Sequence, residues 1–114
     1  MLTYSVIAFA IAALGGLLLA AKVLTGNLAS WPISIAHALF GASGLVLLGL
    51  AVLEGTGPSR ITAALGLLVV AAVGGFYLAS FHIRKKIAPK GVVFIHAGVA
   101  VAGFLTLLSV ILGL

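Results

Sequence analysis

The chain has 114 residues, 64% of them hydrophobic and 6% charged, with no cysteine and a formal net charge of +5. A soluble domain of this size cannot solvate that balance, so composition points to an integral membrane protein. The absence of thiols excludes disulfides, iron–sulfur clusters and thioether-linked cofactors, and so few charges make nucleic-acid binding the wrong reading of the basic excess.

Four apolar stretches follow one another. The first, Tyr4–Leu24, is preceded by Met1-Leu2-Thr3, which carries no Lys or Arg. It therefore lacks the basic start of a signal peptide and is expected to be a retained helix. The second, Pro32–Leu53, begins beside Trp31, an expected interfacial anchor. The connection Glu54-Gly55-Thr56-Gly57-Pro58-Ser59 leads to the third, Arg60–His82, and the fourth is Gly91–Leu114. Each is long enough to cross ~30 Å of hydrocarbon, and only helices satisfy their own backbone there. The short connections make consecutive helices antiparallel neighbours. The expected fold is an all-α integral membrane protein, a four-transmembrane-helix bundle forming one transmembrane domain over residues 1–114.

Lys22, Arg84, Lys85, Lys86 and Lys90 fall at one membrane face, whereas Arg60 alone falls at the other, beside Glu54. The positive-inside rule puts the connections Thr25–Trp31 and Arg84–Lys90 in the cytoplasm and both termini outside, with a bacterial inner membrane as the expected location. The run Arg84-Lys85-Lys86 reads as a topology determinant in contact with anionic lipid.

The two halves resemble each other. A shift of 59 residues superimposes Gly15-Gly16 on Gly74-Gly75, His37-Ala38 on His96-Ala97, Gly44 on Gly103 and Leu48 on Leu107. Of 52 overlapping pairs 12 are identical, roughly twice what such a composition gives by accident. The match of two among only three histidines gives the register its weight. The expected repeats are residues 1–55 and 60–114. With two helices per unit they enter the membrane in the same direction, as parallel repeats that make the second and fourth helices diagonal partners.

His37 and His96 each lie five residues inside their span, so both sit roughly 7–8 Å from the basic face, at one level. Strongly polar residues inside a span are functional candidates by default. Diagonal axes in a square bundle are ~11–14 Å apart, which lets two inward imidazoles reach one central metal from opposite sides. Each ring's second nitrogen needs a partner, and the carbonyls of Ile33 and Val92, one turn back, are expected to supply it. Beyond His37 on its own face stand Gly41 and Gly44, and beyond His96 stand Ala100 and Gly103. Together with Gly15, Gly16, Gly74 and Gly75 these small residues leave room for a flat cofactor, or else serve close helix packing. Phe40, Phe76, Phe94 and Phe104 are expected walls of the slot, or plain core. Lys22 and His82, assisted by Arg84, are candidates to meet carboxylates at the polar boundary, the alternative being that Lys22 snorkels and His82 rests in the interface. Tyr77 lies at the histidine level, where its hydroxyl would donate to a cofactor or to a neighbouring carbonyl.

This pattern resembles the membrane b-type cytochromes, four-helix proteins with a histidine pair on the second and fourth helices. The resemblance covers the whole chain as architecture and rests on His37, His96 and their flanking glycines. It implies about one non-covalent haem b per chain with His37 and His96 as axial ligands, and electron exchange with a quinone or a small redox species, as in a quinone-linked oxidoreductase. Many members carry a second histidine pair towards the opposite face, and this chain does not. A quinone, a second protomer in a homodimer or a partner redox subunit must therefore complete any route across the bilayer. Two other classes stay open: a structural or assembly subunit, and a metal or proton site of His37, His96 and His82 in a transporter or sensor.

Overall fold

Helix α1 spans Leu2–Leu24, α2 Trp31–Glu54, α3 Arg60–Ile83 and α4 Lys90–Ile111 in the computed structural model, which describes residues 1–55 and 57–114. Thr56, in the expected 54–59 connection, lies outside the described residues. Each helix is long and apolar enough to cross a membrane. The boundaries follow local chemistry. Pro32 starts α2 within its first turn, where its missing N–H costs nothing. Gly55, with φ 68°, closes α2 in the left-handed conformation. Helix α4 ends three residues earlier than its apolar run, because Gly113 turns left-handed at φ 72°.

The ends of α1 and α3 are capped alike. Gly26 N–H donates to Val23 O and Asn27 N–H to Lys22 O; Lys85 N–H donates to His82 O and Lys86 N–H to Phe81 O. Both are Schellman caps, and the donors and acceptors of one are those of the other displaced by 59 positions. Lys85 takes the left-handed position, at φ 56°, that Gly26 occupies in the first half.

Helix α1 packs chiefly on α2 and α3 chiefly on α4, and the two hairpins meet through α1 with α4 and α2 with α3. Helices α2 and α4 therefore lie on a diagonal. The core is concentrated towards the end of the bundle opposite the cluster of cations, where Phe9, Leu48, Ala51, Ile61, Ala64, Leu68 and Leu107 are all buried. Ser5, the one buried polar side chain among the described residues, donates its hydroxyl to Gly44 O at 3.1 Å. The outer surface is apolar: Tyr4, Leu17, Leu53 and Phe76 each expose more than two thirds of their area.

Gly44 and Gly103 do not border an open slot. A Cβ at Gly44 would stand 2.8 Å from the Phe9 ring, and one at Gly103 would stand 2.8 Å from Leu68 Cγ. These glycines let α1 approach α2 and α3 approach α4, which is the packing role of small residues in apolar surroundings. Gly44→Leu and Gly103→Leu should therefore each destabilise the fold by about 1–3 kcal/mol through overpacking. Thermal melts of the helical circular dichroism signal in detergent measure this, and unchanged midpoints in both variants would contradict the close approach.

Candidate functional site

His37 and His96 face each other across the diagonal, with ring centroids 6.2 Å apart and planes at 82°. Each ring is anchored on the first helix of its own hairpin. His37 Nδ1–H donates to Ala12 O at 2.7 Å, and His96 Nδ1–H donates to Ala71 O at 2.7 Å. A carbonyl only accepts, so the chemistry fixes Nδ1 as the protonated nitrogen. In each neutral ring Nε2 then carries a free lone pair, and no Nε2 hydrogen bond occurs among the described residues.

These acceptors replace the expected ones at Ile33 and Val92. The reason lies in Gly15-Gly16 and Gly74-Gly75. A helical side chain covers the turn before its own Cα, so residues i+3 and i+4 shield the carbonyl of residue i. With glycine at both places the carbonyls of Ala12 and Ala71 are uncovered, and each has a second lone pair beyond its helical bond. The glycines also seat the rings: a Cβ at Gly16 would lie 3.0 Å from His37 Cε1, and one at Gly75 would lie 3.1 Å from His96 Cε1. Gly15 and Gly74 approach the same rings, with Cβ positions 3.4 Å from His37 Cβ and 3.6 Å from His96 Nδ1. Ala12 and Ala71 are thus site residues that residue chemistry alone did not single out. The signal was present, since they match in the same 59-residue register.

Other candidates lie elsewhere. An added Cβ at Gly41 meets nothing within 4 Å, so Gly41 does not border the rings. Phe76 and Phe94 expose 75% and 62% of their area and do not wall a slot between the helices, and Phe40 is also exposed; Phe104 packs against the core. Tyr77 is exposed on the outer surface, edge-on to Phe81. Arg84 lies over the Phe81 ring and donates to Ser80 O and Oγ. Lys22 is exposed, with no side-chain partner among the described residues. His82 is stacked on Trp31 and paired with Ser34 Oγ. Arg60, at the far end, donates to Ser109 Oγ and Leu114 O rather than to Glu54.

The pair can be tested against what two ligands of one metal require. Ring centre to nitrogen (about 1.2 Å) plus a metal–nitrogen bond (about 2.0 Å), doubled, separates the centres of two rings in line with one metal by about 6.4 Å. The observed 6.2 Å fits. The anchored Nδ1–H is also the arrangement that orients a metal-binding histidine and raises its basicity. Among the described residues no group of three or more His, Cys, Asp or Glu side chains converges.

The chain matches no protein-family model, no curated protein and no solved structure.

Proposed function

We propose that this is an integral membrane electron-transfer protein that holds one haem b non-covalently, with His37 and His96 as its axial ligands. One observation carries the reading: two imidazoles, each with Nδ1–H tied to a backbone carbonyl, stand 6.2 Å apart on diagonal helices. When bound, haem supplies a site that cycles by one electron. The chain orients the two lone pairs through Ala12 and Ala71, and keeps space for the rings with Gly16 and Gly75. A bare metal site fits less well, since structural and catalytic zinc takes three or four protein ligands. The absorption spectrum of detergent-purified protein tests the proposal. A reducible Soret band with low-spin features, at about one haem per chain, is expected; a protein that stays colourless after haem is offered excludes it.

The apolar outer surface and the four long helices support insertion in a bilayer. The tandem repeat, residues 1–55 and 60–114, is supported by contacts that recur 59 positions apart: ring to carbonyl, ring to glycine, and helix cap. The basic end, with Lys22, Arg84, Lys85, Lys86 and Lys90, belongs on the cytoplasmic side of a bacterial inner membrane, and both termini outside. A reporter fused at Leu114 should then be active only in an external format; activity confined to the cytoplasm reverses the orientation.

The partner class we propose is apolar. A shallow groove between α1 and α2, lined by Leu14, Gly15, Leu18, Ile33 and Phe40, reaches His37, its only ionisable lining residue. Electron exchange with an apolar partner such as a quinone suits that lateral approach. One haem near one face leaves the rest of any transmembrane route to a quinone, a second protomer or a partner subunit.

A further inference from the structure

At the basic end, α2 and α3 meet in a polar corner that the α4–α1 side lacks. The Trp31 indole stacks on the His82 imidazole, with centroids 3.8 Å apart and planes within 18° of parallel. Ser34 Oγ lies 3.2 Å from His82 Nδ1. In the 59-residue register the corresponding residues are Lys90, Val23 and Val93, and Val93 is buried. Ser34 precedes His37 by three positions, hence on the same face of α2 and one turn nearer the basic end. A polar file of His82, Ser34 and His37 therefore occupies one side of the pair. On the His96 side the matching step is apolar.

The charged groups of this end are Lys22 closing α1, Arg84, Lys85 and Lys86 after α3, and Lys90 opening α4. Arg84 is turned onto Phe81 and Ser80, and among the described residues none of these cations hydrogen-bonds His82. From α2 the neighbours are Trp31 and Ser34, both uncharged. The only acid of the chain, Glu54, ends α2 at the opposite end. His82 is therefore the one imidazole in the corner among the described residues.

We propose that His82 is a proton site coupled to the redox state of the His37–His96 centre, an inference that rests on the haem reading above. With haem held by His37 and His96, one-electron reduction by an added reductant would be accompanied by uptake of one proton at His82 from water at the basic end. When the electron leaves, the proton returns to water. The only bond made or broken at His82 is N–H. The protonated ring keeps both contacts, with Nδ1–H donating to Ser34 Oγ and the stack on Trp31 becoming a cation–π contact. Coupling follows through Ser34, which contacts His82 and lies one turn of α2 from His37, because charges are weakly screened in a medium of low dielectric.

Redox titration of the purified haem protein between pH 5 and 8.5 tests this. Uptake of a proton on reduction makes the midpoint potential fall as pH rises, by up to tenfold in the redox equilibrium per pH unit, which is 59 mV for one electron. His82→Gln should keep the low-spin spectrum and flatten that slope. Ser34→Ala, which removes only a hydroxyl, should keep the slope and displace its inflection along the pH axis. A flat wild-type profile in a protein that holds haem overturns this inference alone, as does a slope unchanged in His82→Gln with an unmoved inflection in Ser34→Ala. A protein that binds no haem overturns the inference and the reading beneath it together.

Discussion

His37→Ala and His96→Ala should each give a folded protein that has lost low-spin haem. Removing either ring leaves one protein ligand facing an empty position, and the occupancy of purified protein should drop at least tenfold or convert to a high-spin form. The loss should be symmetrical, because both rings have the same anchor: a 2.7 Å bond to the carbonyl 25 residues earlier. The fold should survive, since neither histidine belongs to the buried core around Leu48 and Leu107 and an interhelical hydrogen bond in apolar surroundings is worth only about 0.6–2 kcal/mol. His82→Ala is the control, expected to keep haem because its ring is engaged with Trp31 and Ser34. Spin state and haem content are read from absorption and electron paramagnetic resonance. Full low-spin haem in both His37→Ala and His96→Ala would falsify the ligand assignment.

The second large effect should come from residues that carry no chemistry of their own. Gly16→Val and Gly75→Val should abolish low-spin haem while leaving helical content unchanged. A Cβ at either position meets the ring carbon Cε1 at 3.0 or 3.1 Å, and the γ carbons of valine project further. His37 cannot yield while keeping its anchor, since its Nδ1 is tied to Ala12 O and its Cβ is seated on Gly15. The ring must swing out and give up its carbonyl anchor. Loss of such an outer-shell partner alone weakens metal binding about 10–100-fold, and displacement of the lone pair adds to it. Gly41→Val and Gly98→Val provide the comparison, because an added Cβ there meets nothing within 4 Å. Equal haem content in all four variants would remove Gly16 and Gly75 from the site.

Much of this architecture is present in local sequence. Apolar length alone places four helices within a few residues of their ends, because a run of that length satisfies its backbone in only one way. The register of 59 residues pairs His37 with His96, and two-helix units with short connections put those histidines on diagonal helices. Local chemistry also sets the caps at Gly26, Gly55 and Gly113, where left-handed backbone favours glycine. What the sequence leaves open is which small residues border the rings. Gly44 and Gly103 lie on the histidine face of their helices, yet Phe9 and Leu68 fill the space beside them, and that depends on how closely α1 meets α2 and α3 meets α4. Helical periodicity fixes a side chain's direction only relative to its own axis, so whether Tyr77, Phe76 or Phe94 turns inward depends on how each helix is rotated against its neighbours. The acceptors for the histidines were decided in the same way. A carbonyl on the same helix is near in sequence but already shielded by its own turn, whereas Ala12 and Ala71, 25 residues away, are uncovered by paired glycines and brought within 2.7 Å only when each hairpin closes.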